Sequence, residues 1–221
     1  MEEYIVIEHR QKGNNNAPNG EVSNNQKVFI IKAVNSKLPS LVVFASSTDL
    51  QFGTKINVDD KKVYLEDKQI GEVSNMLSSS DVVVNTDYDI KYTGGYSKDG
   101  KIIYLDKDLP KSIKINDKEV DLVQSIGLHH ELPEKWLIDD AYDYQYAHLI
   151  ATGIEKDYIT SLGIKWEDYD NELGKLLRQI YNKKPKKSPK NLDLSPYIAT
   201  NDQEALKEIR ESMELDQTSQ T

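Results

Sequence analysis

The run His129-His130-Glu131-Leu132-Pro133-Glu134-Lys135 places two imidazoles beside two carboxylates, and a third histidine, His148, follows with Glu155 behind it. On a helix His130 and Glu134 stand at i and i+4 and project from one face, with Glu131 beside them. His148 and Glu155 are seven residues apart, so a second helix would also carry both on one face. Imidazole and carboxylate delivered by two neighbouring helices suit a divalent metal, zinc or another. A hydrolytic centre needs three protein ligands, an open position for water and a carboxylate to take the water's proton. The assignment is then His130, Glu134 and His148 as ligands, Glu131 as general base, and Glu155 as fourth ligand or as a support behind the others. The familiar helical form of this chemistry is His-Glu-x-x-His; here Glu134 stands where the second imidazole would be. Pro133 inside the run threatens the i/i+4 alignment, because proline lacks an N–H and clashes with the preceding turn. The competing reading is a pair of helices with solvated polar faces, in which Glu131 and Lys135 form an ordinary i/i+4 ion pair.

Composition narrows the field around this segment. A formal charge of −9 argues against general nucleic-acid binding, which needs a basic footprint. There is no cysteine, so disulfides, thiolate zinc sites and thiol catalysis are excluded and any metal must be held by imidazole and carboxylate. No apolar run reaches membrane-span length, and Met1-Glu2-Glu3 is unlike a secretory leader. These features lead us to expect a soluble, cytoplasmic protein with no membrane partner. Tyr142, Tyr144 and Tyr146 read as packing against neighbouring helices, and the Lys183–Lys190 run as a solvated linker.

The elements that must position the candidate site follow from hydrophobic periodicity. Tyr4–Ile7, Val28–Ile31, Leu41–Phe44, Lys55–Val58, Lys62–Leu65 and Gln69–Val73 are short apolar segments punctuated by Asn, Asp and Gly. They predict an antiparallel β-module over residues 1–85, a meander, barrel or sandwich, with a polar loop at 12–20. The Asn75–Ser80 patch reads as the internal break, with Asp81–Val84 closing the module. Residues 86–182 are expected to hold a hairpin, around 91–96 and 100–106, and a three-helix core. The first helix would begin near Val120 and reach Leu137, the second run from Tyr144 to Leu162, and the third from Trp166 to Tyr181. In the second, Leu149, Ile150, Ile154, Tyr158 and Ile159 form the apolar stripe. Residues 183–200 are expected to be an extended arm anchored by Leu192, Leu194 and Tyr197, docked on the protein's own helices in preference to a partner. Residues 201–221 would form a short helix to about Leu215 and a disordered tail. The fold class is α+β.

Four segments together carry a resemblance. They are Tyr104-Leu105-Asp106 with Leu109-Pro110-Lys111, then His130-Glu131-x-x-Glu134, then Tyr144-x-x-Ala147-His148-x-x-Ala151-Thr152-x-x-Glu155, then Asp193-Leu194-Ser195-Pro196-Tyr197. In order and spacing they resemble a set of small bacteriophage and prophage proteins with the pattern His-Glu-x-x-Glu, then Ala-His-x-x-Ala-x-x-x-Glu. The resemblance spans residues 99–200 and leaves the β-module unaccounted for. It implies a phage origin, a metallopeptidase-like helical core and a protein partner or substrate from the virion or the host. The place of action would then be the host cytoplasm or the virion. His130, Glu131, Glu134, His148 and Glu155 match the pattern, whereas His129 and Pro133 belong to this chain. Pro133, the β-module and the arm also suit a non-catalytic phage protein, acting in virion assembly or as an inhibitor of a host defence protein.

Overall fold

The computed structural model describes residues 2–11, 27–34, 41–77, 82–139 and 141–218. It is an α+β chain in two compact units, one of residues 1–80 with 136–150 and the other of residues 81–135 with 151–221. The polar loop expected at 12–20 lies outside the described residues.

In the first unit six strands form a barrel: β1 (Glu2–Gln11), β2 (Lys27–Ala33), β3 (Leu41–Ser46), β4 (Lys55–Asp59), β5 (Lys62–Leu65) and β6 (Lys68–Leu77). All pairs are antiparallel in the ring order β1-β2-β3-β6-β5-β4, and pairing of Glu2–Ile5 with Lys55–Val58 closes it. Of the three forms open to the sequence, this is the barrel. Its closure is local chemistry. Asp60 and Lys61 both take positive φ in the two-residue turn between β4 and β5, the mirror-image turn that matches strand twist. Register shifts at Val6/Glu8, Val43/Phe44 and Val63/Tyr64 bend the strands enough for so small a sheet to curl shut. The interior is apolar: Tyr4, Val6, Phe29, Ile31, Leu50, Ile56 and Val63. Strand β6 runs on to Leu77, so Asn75–Leu77 is strand; the rest of the expected break, 78–80, lies outside the described residues, and the two units divide at its end, between Ser80 and Asp81.

Val83 and Val84 do not close the barrel. They begin β7 (Val83–Tyr88), which pairs parallel with β9 (Ile102–Asp106) in a separate three-stranded sheet, β7-β9-β8, with β8 (Gly94–Tyr96) at one edge. The antiparallel β8–β9 pair is the hairpin expected from sequence. A further hairpin, β10 (Ser112–Ile115) and β11 (Lys118–Asp121), occupies ground the sequence reading gave partly to a helix. Asn116 and Asp117, both at positive φ, form its turn.

Helical structure begins at Val123. A nine-residue π-helix, Val123–Glu131, runs directly into α1 (Leu132–Asp139), and the Leu132 amide donates to the Gly127 carbonyl five residues back. Pro133 therefore sits in the first turn of α1, where the spacing of backbone bonds is changing and a missing N–H costs least. Next come α2 (Tyr144–Ser161), ended by Gly163 at φ +70, and α3 (Trp166–Ile180). Within the stripe expected on α2, Ile150, Ile154 and Ile159 are buried while Leu149 is exposed. The second unit's apolar clusters are Leu105, Ile115, Val120, Leu122, Ile126, Ile159, Ile164 and Tyr169, and a group around Ile90, Tyr104, Leu192, Tyr197, Leu206 and Ile209.

The arm docks on its own unit, against the sheet edge. The Lys98 amide donates to the Asn191 carbonyl, the Asp193 amide to the Tyr96 carbonyl, and Leu192 bridges Ser97. It is not extended throughout. Pro196 sits in the first turn of a short helix, α4 (Ser195–Ala199), a place that tolerates proline, which corrects the expectation that proline excludes helix here. Helix α5 (Gln203–Thr218) follows, with the Asp202 carboxylate accepting from the Ala205 amide as a cap. It continues past Leu215, so 216–218 are helical; 219–221 lie outside the described residues.

Candidate metal centre

His130 and Glu131 are the last two residues of the π-helix, and Glu134 lies one turn on from His130 in α1. The i/i+4 alignment survives Pro133: His130 Nε2 is 3.8 Å from Glu134 Oε2. α2 is a single unbroken helix that carries His148 and Glu155. His130, Glu134 and His148 each offer a ligand atom, and these atoms all lie within 4.8 Å of one another. The group is partly buried, with Glu134 buried, His130 half-buried and His148 exposed. It could bind a metal ion. Two imidazoles and one carboxylate are a donor set that first-row divalent ions accept, and the exposed side leaves room for water.

Glu155 is not one of the three. It stands behind the His130 ring, where its Oε2 lies 2.9 Å from Nδ1, so Nε2 is the nitrogen left to face Glu134. The other oxygen, Oε1, accepts a 2.6 Å hydrogen bond from the Tyr169 hydroxyl of α3. A carboxylate on the remote ring nitrogen fixes the tautomer and raises the basicity of the other, the usual support for a ligating histidine. Burial alone would lower the His130 pKa. The hydrogen bond and charge of Glu155, helped by Glu131 and Glu134, override it and raise the ring to about 9. Without a cation in place, a proton is what balances these carboxylates.

Glu134 is oriented in turn by Tyr96 of β8, whose buried hydroxyl donates to Oε1 at 2.9 Å. Burial and the neighbouring Glu134 charge both push the Tyr96 pKa up, so the phenol stays a donor. Glu131 differs from its neighbours. The residue is 9 % exposed, and it presses against the sheet where β8 begins, so that a Cβ at Gly94 would collide with its carboxylate. Desolvation first, and then the charge of Glu134, raise its pKa to about 8.

Two residues do not behave as surface groups. His129 is buried, with Nδ1 2.7 Å from the Gln124 carbonyl and its ring stacked on Tyr158 at 4.0 Å, so it is structural. Lys135 is 2 % exposed, and it forms an ion pair with Asp193 at 3.1 Å. The reading of solvated helix faces is thereby overturned. Sequence reasoning missed the supporting cast: Tyr96, Tyr169 and the Lys135–Asp193 pair. Only the last carried a signal, since Asp193 opens the Asp-Leu-x-Pro-Tyr element.

Comparison with known proteins adds no relative: no family model, no curated protein and no solved structure matches this chain. No helix among the described residues is long and apolar enough to cross a membrane.

Proposed function

We propose that this is a phage-encoded, metallopeptidase-like protein whose His130, Glu134 and His148 hold zinc or another divalent ion for hydrolysis of a protein substrate. The observation that carries the reading is the convergence of three ligand atoms within 4.8 Å, backed by Glu155 on the far side of the His130 ring. His130, Glu134 and His148 would hold the ion, which would supply Lewis-acid polarisation of a water molecule. Glu131 would take the proton of that water as its oxygen attacks the scissile carbonyl carbon, and would hand the proton to the departing amide nitrogen. Glu131 suits this role because it sits on the ligand helix, buried, with a carboxyl whose proton affinity lies near the working range. The substrate is a virion protein during assembly or a host protein, and the place of action is the host cytoplasm or the particle.

The test is metal content of protein purified without chelator, followed by Glu131→Gln on a peptide-library digest. One equivalent of zinc, manganese or nickel is expected, with hydrolysis falling by about 10²–10⁴-fold in the variant while the metal is retained. Protein that carries no metal, and takes none up on dialysis, would sink the reading. A second reading, a non-catalytic phage protein that binds a virion or host protein, is favoured by Phe52. This aromatic is 71 % exposed in a barrel turn next to Gly53 at φ +84. Metal-loaded protein that cleaves nothing, but loses a partner on Phe52→Ser, would favour it.

A further inference from the structure

We propose that the C-terminal arm is part of the metal centre, with Asp193, Lys135 and Tyr96 acting as positioning residues that aim the Glu134 carboxylate. The inference rests on the metal reading above and adds to it a dependence of the site on a segment some sixty residues further along the chain.

The connection can be followed atom by atom. Asp193 Oδ1 accepts from the Ser195 amide at 2.9 Å and hydroxyl at 2.6 Å, so the carboxylate is fixed at the point where the arm turns into α4. Its Oδ2 holds Lys135 Nζ at 3.1 Å, and the same ammonium donates to the Lys98 carbonyl at 3.1 Å. Lys98 also gives its amide to Asn191 of the arm. The ammonium lies 5.4 Å from the centre of the Tyr96 ring, a cation–π contact in a dry setting where such contacts are strong. Arm, lysine and ring are thus one packed unit. The Tyr96 hydroxyl then donates to Glu134 Oε1, which leaves Oε2 directed at His130 Nε2.

Two features argue that this is more than packing. Lysine is almost never fully buried without a reason, and here the buried cation sits on the residue next to a ligand, stabilised by a carboxylate from the arm. A ligating glutamate can bind a metal through one oxygen or both. A phenol that occupies Oε1 would leave Oε2 as the oxygen to hold the ion. Without the arm, Lys135 would lose the Asp193 carboxylate beside the Tyr96 ring.

The experiment is cobalt(II) titration of the full chain, read by the visible d–d bands, with circular dichroism confirming that each variant is folded. Tyr96→Phe keeps the ring over Lys135 and removes only the hydroxyl. It is expected to weaken cobalt binding by about 10–100-fold. It should also change the d–d spectrum, because Glu134 is freed to bind through both oxygens. Asp193→Asn should shift the spectrum in the same direction with a smaller loss of affinity. Combined with Tyr96→Phe it should add less than its own effect, since both act through the Glu134 carboxylate. Should Asp193→Asn not fold, the double replacement Lys135→Met with Asp193→Leu removes the pair without leaving a lone buried charge, and the same spectral change is expected. Wild-type protein that binds cobalt, with variants matching it in affinity and spectrum, overturns the positioning role and leaves the metal reading intact. Wild-type protein that binds no cobalt overturns both.

Discussion

The barrel and the helical region bury side chains to opposite ends. Inside the barrel the buried cluster is Tyr4, Val6, Phe29, Ile31, Leu50, Ile56 and Val63, and what it contributes is area removed from water. Around His130 the chain instead buries Glu131, Glu134, Lys135 and Glu155, groups that cost free energy unless each is matched by a proton, a hydrogen bond or a counter-charge. A cluster of apolar side chains needs no further function to account for it. A set of converging acids and imidazoles does, and this asymmetry directs attention to the second region. The nine-residue π-helix sits there too, and such widened turns are uncommon away from functional sites.

The largest effect that would separate the regions is a cavity in the barrel. Phe29 is fully buried, and Phe29→Ala should lower stability by about 3–5 kcal/mol. Denaturant unfolding measures this loss, and metal bound per folded molecule should stay at the wild-type value. A barrel that tolerates the substitution at under about 1 kcal/mol would show that it is loosely packed and that area burial is not what holds it.

The next test uses protons. In metal-free protein, His130 has a folded pKa of about 9 against an ordinary 6.5. Its contribution to stability is therefore complete below 6.5 and lost as pH rises through 9. Glu131 acts in the same direction. Its folded carboxyl keeps a proton to about 8, while in the unfolded chain the proton leaves near 4.5, so stability falls as pH climbs between those values. Chelator-treated protein should thus melt at progressively lower temperature from pH 6.5 to 9. Protein with metal should lose less, because a cation replaces the proton and binds better as pH rises. A melting temperature of the metal-free protein that climbs over this range would contradict the charge balance described for the site.

The sequence was most legible where local rules suffice. The barrel strands, the β8–β9 hairpin and helices α2 and α3 follow from periodicity and turn residues. The β10–β11 hairpin was also readable, since Asn116-Asp117 sits between Ile113/Ile115 and Val120; the helical period beyond Val120 masked it. Parallel pairing of β7 with β9 was not readable, because no local signal specifies a partner across a crossover. In the site, spacing alone grouped His130 with Glu134, and His148 with Glu155. Spacing could not tell that Glu155 would take the Nδ1 side of His130, nor that Lys135 would turn inward. Those outcomes depend on Tyr169 and Asp193, which arrive from far along the chain.

The smallest expected effect comes from one methyl group. Gly94 opens β8 outside the positive-φ region, so backbone freedom does not require a glycine there. Space does: an added Cβ would overlap the carboxylate end of Glu131, while the nearest neighbours at Gly95 are apolar. The carboxylate is the far end of a flexible side chain, but one that is buried, so moving it means repacking or carrying a charge outwards. Overpacking of this kind costs about 1–3 kcal/mol. Gly94→Ala should therefore lower the melting temperature modestly and slow the proposed hydrolysis, because the proposed base is displaced, yet leave metal affinity unchanged, because His130, Glu134 and His148 are not touched. Paired with Glu131→Gln it should add little to the loss of hydrolysis, since the displaced base is already disabled. Full hydrolysis at the wild-type melting temperature in Gly94→Ala would mean that Glu131 is not held against β8, and its assignment as the base would have to be abandoned.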